Sequence, residues 1–353
     1  MRTLIATDAW RPQVNGVVST LERMTLAATE LGAAFDFLTP QGMVTAPMPT
    51  YPDIRLALTS PSDIRRRIEE LGPDHVHIAT EGPIGWLARL HCLRTKRSFT
   101  TSYHTRFPEY VWARTRLPES LTYAFLRHFH RPAAAVMAPT PTIAADLVRR
   151  RFRRVRLWTR GVDHGLFHPG RNRVLDLSRP IFLSVGRVAV EKNLEALLSL
   201  DLPGSTVIVG DGPARAGLER RYPRAHFLGV HHGEDLANIY ASADVFVFPS
   251  RTDTFGIVLI EAMASGLPVA AFPAPGPIDV VGPEAGALDQ DLRRACLKAL
   301  SIPREAARAW SQRFTWQESA RQFLDNVEAS RAYVARRRRK LSSAKQLQLI
   351  RDA

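Results

Sequence analysis

Cysteine and long apolar runs are scarce in this 353-residue chain. Its two cysteines, Cys92 and Cys296, are far apart and belong to no CxxC motif and no Cys/His cluster, which argues against a disulfide framework and a structural zinc site. No uninterrupted apolar stretch of roughly 18 residues occurs, so no membrane-spanning helix is predicted. The apolar run after Met1 is too short for a signal peptide and is predicted to form a buried strand. We therefore expect a cytoplasmic protein.

Lysine and acidic residues are also in short supply. The chain has 48 Lys and Arg, of which five are Lys, against 34 Asp and Glu, so its formal net charge is +14. Residues 149–156 contain six arginines and no acid, and a second basic run, Arg336–Lys340, lies near the C-terminus. This excess predicts an anionic partner, which could be a phosphorylated small molecule, an acidic membrane face or nucleic acid.

Short apolar runs alternate with amphipathic segments along the chain, a pattern typical of parallel sheets covered by helices. Predicted strands of the first half are 3–7, 35–39, 54–58, 75–78, 99–102 and 134–138. Those of the second half are 181–185, 206–209, 226–228, 245–248 and 269–272. Helices are predicted at Val17–Leu31 and near 194–200, 214–221, 236–241 and 257–264. The fold class is therefore α/β, with two units.

Glycine and proline are concentrated between Arg156 and Arg179, which predicts a linker between these units. A long helical pattern returns near Thr315–Val334. We divide the chain into residues 1–162, 163–312, a helix at 313–335 and a basic tail at 336–353.

Two turns at predicted strand ends carry groups suited to a diphosphate. Arg187 follows Gly186 at the end of one strand, and Lys192 opens the next helix, so these cations could converge on a pyrophosphate. A surface pair flanking a turn is the alternative. Gly210 follows the next strand, in a turn that could contact ligand or only connect elements.

The segment from Thr252 to Gly266 carries the strongest signal. Asp253 precedes a predicted helix, and Glu261 follows eight positions later among apolar residues, which argues against a simply solvated face. We interpret Asp253 as an acceptor for sugar hydroxyls and Glu261 as an acceptor for a ribose diol. The alternative is an Asp that stabilises the helix dipole and a solvated Glu. An anion would face the start of this helix, at Thr254, Phe255, Gly256, Ile257 and Val258.

This segment resembles the E-x7-E motif of retaining, nucleotide-sugar-dependent glycosyltransferases of family GT4, with Asp253 where Glu is commonest. Further matching segments occur in the family's order at residues 15–18, 102–105, 160–163, 186–192 and 243–250. The resemblance implies the GT-B fold, with an N-terminal acceptor-side Rossmann-like domain, a C-terminal nucleotide-sugar-binding domain, a cleft between them and a last helix that crosses back.

The resemblance also implies roles for individual residues and a metal-independent retaining transfer without a cofactor. The leaving phosphate would help to deprotonate the acceptor, and no DxD motif stands in a suitable place. The implied site comprises Gly16 near the donor phosphate or acceptor, His104 beside the transferred sugar, Arg187 and Lys192 on the diphosphate, Asp253 on the sugar and Glu261 on the ribose. His104 would polarise or position the sugar. A satisfied histidine in a turn is its alternative.

The acceptor side is predicted from the aromatic and basic segment 105–132, which suits a lipid headgroup boundary. Its candidate residues are Phe107, Tyr110, Trp112 and Arg114. An ordinary amphipathic helix packed on the sheet is the alternative. Together with the two basic runs, this segment predicts peripheral attachment to the anionic inner membrane face.

We expect transfer of a hexose or hexuronic acid from a nucleotide-diphosphate sugar, with a UDP-sugar favoured, to a lipid such as diacylglycerol. The main alternative is a GDP-mannose-dependent α-mannosyltransferase, or a related enzyme acting on a glycan or lipid-linked glycan. A sugar-nucleotide epimerase or hydrolase of the same fold is more distant. No nucleic-acid partner is expected, because no recognised binding module is present.

Overall fold

The computed structural model describes residues 1–11, 16–48 and 51–351, without the side chains of residues 48, 51–54, 113–114 and 336–351. The strands of its first half are β1 (Arg2–Ala6), β2 (Ala34–Leu38), β3 (Thr45–Met48), β4 (Tyr51–Ala57), β5 (His75–Ile78), β6 (Phe99–Ser102), β7 (Ala135–Ala138) and β8 (Val155–Leu157). Six of them form a parallel sheet in the order β2-β1-β5-β6-β7-β8. The other two, β3 and β4, form an antiparallel hairpin.

Helices connect these strands and cover the sheet. They are α1 (Gly16–Glu30), α2 (Pro61–Leu71), α3 (Pro83–Arg94), α4 (Phe107–Thr115), α5 (Glu119–His130) and α6 (Pro141–Arg149). Apolar side chains recur at helical spacing in α1, where Leu21, Met24 and Ala28 are buried as the sequence predicts. In α6 the Thr140 side chain accepts a hydrogen bond from the Ile143 amide, so a polar cap starts the helix just after β7.

The second half repeats this architecture. Its strands are β9 (Ile181–Val185), β10 (Ser205–Val209), β11 (His226–Gly229), β12 (Val245–Phe248), β13 (Val269–Ala271) and β14 (Gly286–Leu288). They form a parallel sheet in the order β11-β10-β9-β12-β13-β14. A 3-10 helix at Val190–Lys192 precedes α7 (Glu195–Leu198), α8 (Arg215–Arg221), α9 (Gly233–Ser242), α10 (Ile257–Ala264), α11 (Pro277–Val280), α12 (Leu292–Ala299), α13 (Arg304–Ser311) and α14 (Trp316–Arg351).

These two sheets confirm the predicted α/β class. The strands at 75–78, 99–102, 181–185 and 245–248 have the predicted bounds. The segment predicted at 54–58 is extended, but it pairs in the hairpin and not in the parallel sheet. β3, β8 and β14 were not predicted. In β8, Arg156 and Leu157 are exposed at the sheet edge, so the sequence of this strand has no apolar run that would predict it.

The last helix crosses back to the first half, as the resemblance implies. Phe323 and Val327 of α14 are buried in one core with Leu21 and Met24 of α1. The Trp158 indole donates a hydrogen bond to Ser319 Oγ at 3.1 Å. α14 continues through the basic run to Arg351, beyond the predicted limit of the crossing helix. No described helix is both long and apolar enough to cross a membrane.

The chain passes between the halves through two segments in backbone contact. A Cβ on Gly161 would lie 2.3 Å from the Trp316 nitrogen, so only glycine allows this approach. The Val162 amide donates to the Phe314 carbonyl oxygen at 3.1 Å. This crossing lets loops at the carboxyl ends of both sheets make hydrogen bonds with each other.

Candidate active site

His104 lies two residues beyond β6, at the carboxyl end of the first sheet. Its Nδ1 atom is 3.2 Å from Arg160 Nη2, and its Nε2 atom is 2.8 Å from Ser102 Oγ. A guanidinium can only donate, so Nδ1 accepts and Nε2–H donates to Ser102. The Trp158 ring packs edge-on at 5.7 Å between ring centroids. The imidazole is therefore held on three sides in one tautomer.

This hydrogen-bonded chain continues into the core of the first sheet. Ser102 Oγ is 3.2 Å from His77 Nε2, and His77 Nδ1 is 2.9 Å from Thr100 Oγ1. Thr100 Oγ1 is in turn 2.9 Å from His75 Nε2. Histidines on β5 thus alternate with hydroxyls on β6, because residues two apart in a strand share one face. One consistent donor direction, from Arg160 inward, satisfies every contact.

The three histidines in this series of hydrogen bonds are held in the neutral form. Burial, together with the neighbouring Arg160 guanidinium, holds the pKa of His104 well below its ordinary value. Burial likewise lowers the pKa of His77 and His75. The Arg160 side chain is buried, and burial lowers its pKa to about 9, so it stays charged at neutral pH. His104 is therefore a neutral polar group beside a buried cation.

Glycine turns follow three adjacent strands of the second sheet. A Cβ on Gly210 would lie 1.9 Å from the Gly186 carbonyl oxygen, and the Gly210 amide donates to the Gly229 carbonyl at 2.7 Å. The turns after β9, β10 and β11 are thus packed backbone against backbone. Arg187 leaves the sheet directly after Gly186 and is partly buried at this edge.

Lys192 and Asp253 form an ion pair next to these turns. Lys192 Nζ lies 2.6 Å from Asp253 Oδ1, and both side chains are mostly buried. Burial opposes protonation of Lys192, but the Asp253 carboxylate raises its pKa above the ordinary value. The second carboxylate oxygen, Asp253 Oδ2, is buried without a hydrogen-bond partner among the described residues. An unpartnered buried acceptor is costly, which suits an oxygen awaiting a hydroxyl donor.

Glu261 lies one turn from the end of α10, with its carboxylate partly buried. Tyr240 donates its hydroxyl to Glu261 Oε2 at 3.1 Å. Burial raises the pKa of Glu261 to about 7, although the Tyr240 hydrogen bond and the Arg23 guanidinium favour the charged form. Arg23, on α1, also bonds Asp163 Oδ2 at 3.1 Å. The structure therefore places an acid with a shifted pKa opposite a cation from the other half.

The start of α10 meets the first half directly. Thr254 donates its hydroxyl to the His104 carbonyl oxygen at 2.7 Å, and a Cβ on Gly16 would lie 3.7 Å from Ile257 Cδ1. Phe255 is buried in the core of the second half, so only its backbone faces the site. Gly256 has φ +82°, the left-handed conformation that begins this helix, and Val258 is partly buried. The start of α10 and His104 are thus joined by a hydrogen bond through Thr254.

The candidate acceptor residues do not share one location. The Tyr110 hydroxyl bonds Thr252 beside the Lys192–Asp253 pair, and burial raises its pKa to about 12. Phe107 packs against the buried cluster around Tyr103. Trp112 is 43% exposed, with the Arg116 guanidinium 4.7 Å from its ring centroid. The side chain of Arg114 and those of Arg336–Lys340 lie outside the described residues.

Several residues in or next to the site are not predicted as site residues from the sequence: Arg23, His77, Ser102, Arg160 and Tyr240. The period-2 spacing of His75 and His77, and of Thr100 and Ser102, could have predicted a shared polar face on neighbouring strands. Arg160 lies in a segment that resembles the family, but sequence alone did not assign it to the site. No group of three or more His, Cys, Asp or Glu side chains among the described residues could hold a metal ion.

Two family models match the chain in succession. Residues 14–166 match the model described as Glycosyltransferase Family 4, and residues 179–301 match the model described as Glycosyl transferases group 1. Together they cover every strand of the two parallel sheets except β1. The candidate site residues, from Gly16 to Glu261, fall inside these matches.

Individual relatives indicate the same family. The GDP-mannose-dependent alpha-mannosyltransferase of Mycobacterium tuberculosis (strain CDC 1551 / Oshkosh) is 36% identical over 312 residues, which cover 80% of this chain and 82% of that protein. The alpha-monoglucosyldiacylglycerol synthase of Streptococcus pneumoniae is 25% identical over 350 residues, covering 85% and 78%. The solved sucrose-phosphate synthase of Thermosynechococcus elongatus superposes with a TM-score of 0.70 at 23% identity, covering 97% of this chain and 99% of that one. The chain therefore belongs to the family 4, group 1 glycosyltransferases, and its two parallel sheets form the GT-B fold expected of these enzymes.

Proposed function

We propose that this enzyme transfers a mannosyl group from GDP-mannose to a lipid acceptor, with retention of anomeric configuration. The Lys192–Asp253 pair carries the proposal, because it sets a cation for a leaving diphosphate beside an unpartnered acceptor oxygen for a sugar hydroxyl. The sequence favoured a UDP-sugar. The name of the 36% identical mannosyltransferase supports GDP-mannose as the donor to test first.

In the proposed reaction, the second half holds the nucleotide. Lys192, Arg187 and the amides at the start of α10 would neutralise the diphosphate as the bond to the sugar breaks. Glu261, as a carboxylate, would accept hydrogen bonds from the ribose diol. Asp253 Oδ2 would accept from a sugar hydroxyl.

The first half would orient the transferred sugar. His104 is neutral and both its ring nitrogens are engaged, so it is poorly suited to act as a general base. A sugar hydroxyl would contact it as a fixed polar surface. The acceptor oxygen would attack the anomeric carbon on the face from which the leaving diphosphate departs, which gives retention. The acceptor proton would pass to the leaving phosphate. We assign residues 1–162 to the acceptor side, 163–312 to the nucleotide side and 313–335 to the bracing helix.

The lipid acceptor is supported by a relative named for glycosylation of diacylglycerol. It is also supported by exposed apolar side chains on α4 and α5, where Trp112, Leu121 and Phe125 are 43%, 58% and 49% exposed, and by the exposed Arg116 that follows α4. Such surfaces suit the boundary between headgroups and acyl chains. We propose peripheral binding to an anionic membrane face on this basis.

A second candidate is transfer of glucose or a hexuronic acid from a UDP-sugar to diacylglycerol. The observation that favours it is the relative named alpha-monoglucosyldiacylglycerol synthase. Transfer to a soluble glycan, and hydrolysis or epimerisation without an acceptor, are the outcomes that would exclude both lipid candidates.

A donor panel tests these proposals. Purified full-length enzyme is incubated with radiolabelled GDP-mannose, UDP-glucose or UDP-glucuronate and with diacylglycerol or extracted membrane lipid. We expect label from GDP-mannose to enter the organic phase and to be absent from it with Lys192→Ala. Label from a UDP-sugar in diacylglycerol would replace the first proposal with the second. Label that stays in a soluble glycan, or free sugar released without acceptor, would contradict both. The anomeric configuration of the product, measured by NMR, tests retention.

A further inference from the structure

A cavity of about 550 Å³ opens at the amino-terminal edge of the first sheet, away from the active site. We call it the back pocket. It is lined by turns that enter β6, β7 and β8, whereas His104 follows the opposite end of β6. Each four-residue strand separates these edges by about 13 Å. Six basic residues line the back pocket: Arg89, Lys96, Arg97, Arg131, Arg153 and Arg154.

No Asp or Glu is among the described residues that line this pocket. Neutral carbonyl oxygens hold several of the cations instead. Arg89 donates from Nε to the Phe129 carbonyl at 2.9 Å, Arg97 from Nη1 to that of Pro73 at 2.7 Å, and Arg154 from Nε to that of Ala133 at 2.8 Å. Their positions are thus fixed while their charge is not cancelled by these contacts.

Helix dipoles explain only a small part of this charge. α3, α5 and α6 all end at this edge, and each C-terminus carries roughly −0.5 of an elementary charge. Three such ends together carry about −1.5 charges, against the full positive charges of the five arginines in the lining. A neighbouring cavity of about 380 Å³ shares Arg131 and Arg153 and adds Arg127 and Arg151, which increases the excess.

An unused hydroxyl also points to a ligand. The positive φ angles of Lys96 and Arg151 in the lining do not, because these residues close the ends of α3 and α6 in the usual left-handed conformation. The Ser98 hydroxyl oxygen, also in the lining, is buried without a hydrogen-bond partner among the described residues.

We propose that the back pocket is a second ligand site, which binds a phosphate group remote from the transferred sugar. Several guanidinium forks around one cavity match the oxygens of a phosphate. The volume suits a small phosphorylated molecule or a lipid headgroup. Leu93 and Tyr333, at 41% and 45% exposure, would face the apolar part of a lipid at its rim. The site does not depend on the proposed reaction.

Binding to the full-length protein tests this site with two kinds of probe. Calorimetry uses inositol hexakisphosphate and inorganic pyrophosphate, and co-sedimentation uses phosphatidylcholine vesicles with and without phosphatidic acid. The test variant is Arg131→Ala with Arg153→Ala, since both side chains are exposed. The matched control is Arg220→Ala with Arg224→Ala, which removes the same charge from an exposed part of the second half.

We expect affinity for at least one probe to fall about tenfold or more in the test variant and to change less than about twofold in the control. Each titration is repeated in Lys192→Ala, where binding at the proposed diphosphate site is lost but binding at the back pocket persists. Loss of soluble phosphate binding assigns a phosphorylated small molecule, and loss confined to acidic vesicles assigns a lipid headgroup. No binding, or equal loss in both double variants, overturns the proposal, whether or not the donor panel finds transfer.

Discussion

The two sheets contribute opposite kinds of chemistry to the same site. The first supplies groups that are mostly neutral and fixed by hydrogen bonds, with His104 held between Ser102 and Arg160. The second supplies charged groups, the Lys192–Asp253 pair and Glu261, at the ends of glycine turns and of α10. Charge develops on the leaving diphosphate during sugar transfer, so the charged half should govern the barrier. The neutral half should govern orientation.

Removal of Lys192 should have the largest effect. Lys192→Ala is expected to lower kcat about 10³-fold, since a fixed cation next to a leaving group stabilises it by several kcal/mol. It also leaves the mostly buried Asp253 carboxylate without its partner, so thermal melting must establish that the variant is folded. The measurement is steady-state transfer with the donor that the panel identifies.

Lys298→Ala is the control for this change, because Lys298 is an exposed lysine on α12. It should leave kcat unchanged. If Lys192→Ala lowered kcat by less than about tenfold in a folded protein, the second half would not govern the barrier and the comparison between the sheets would fail.

Loss of His104 should have the next largest effect. His104→Ala is expected to lower kcat about 10²-fold, because the sugar loses a positioned polar contact and the buried Arg160 loses an acceptor. Because the pKa of His104 is held well below its ordinary value, the wild-type and variant pH profiles should have the same shape. His226→Ala, at an exposed histidine of β11, is the control. If a titration step present in the wild-type pH profile were missing from that of His104→Ala, His104 would be a proton acceptor in the reaction.

Sequence predicted the fold because both sheets repeat one simple pattern. The fully buried strand Val245–Phe248 is apolar throughout, so its bounds are visible in the sequence. The exposed edge strand β8 and the three-residue β14 lack that signature. The hairpin pairing of residues 51–57 depends on which strand lies alongside, which a local pattern does not contain.

The candidate site was predictable where it lies on one continuous segment. Asp253, Glu261 and the start of α10 lie within a few turns of chain, so their spacing alone suggested a ligand. The chain from Arg160 through His104 to His77 joins residues from three separate segments. Its members come together only through the β5–β6 register and the crossing at Gly161. The sequence therefore predicts the charged half of the candidate site and omits much of the neutral half.

Acidic pH should weaken the charged half selectively. As pH falls through about 7, Glu261 becomes protonated and loses acceptor capacity for the ribose, so kcat/KM for the donor should fall about tenfold per pH unit. Glu261→Gln should have a low kcat/KM that no longer varies with pH in this range. Initial rates at low donor concentration measure both.

Folding stability should follow the opposite trend for the same group. The pKa of Glu261 is raised in the folded state, so between its ordinary value and about 7 only the folded protein holds the proton. The contribution of Glu261 to the free energy of unfolding therefore falls as pH rises through this window, by at most about 1.4 kcal/mol per pH unit. If Glu261→Gln kept the wild-type pH dependence of kcat/KM, another group would be responsible for it.

Loss of the Ser102 hydroxyl should have the smallest effect. Ser102→Ala removes the partner of His104 Nε2, but Arg160, Trp158 and the Thr254 contact to the His104 carbonyl still hold the residue. We expect kcat to fall about threefold to tenfold, with KM for the donor unchanged, because one neutral hydrogen bond contributes about 1 kcal/mol.

Thr101→Val is the matched control for Ser102→Ala, because it deletes a buried hydroxyl from the other face of β6. Thr101 Oγ1 bonds His130 Nδ1 at 2.8 Å, away from His104. Urea denaturation should show the free energy of unfolding lowered by about 1 kcal/mol in Thr101→Val and by about 2 kcal/mol in Ser102→Ala, because the Ser102 hydroxyl also bonds His77. Only Ser102→Ala should slow transfer, since only that face of the strand leads to the sugar. Equal slowing by both variants would mean that the series of hydrogen bonds from Arg160 to His75 stabilises the first sheet without orienting the substrate.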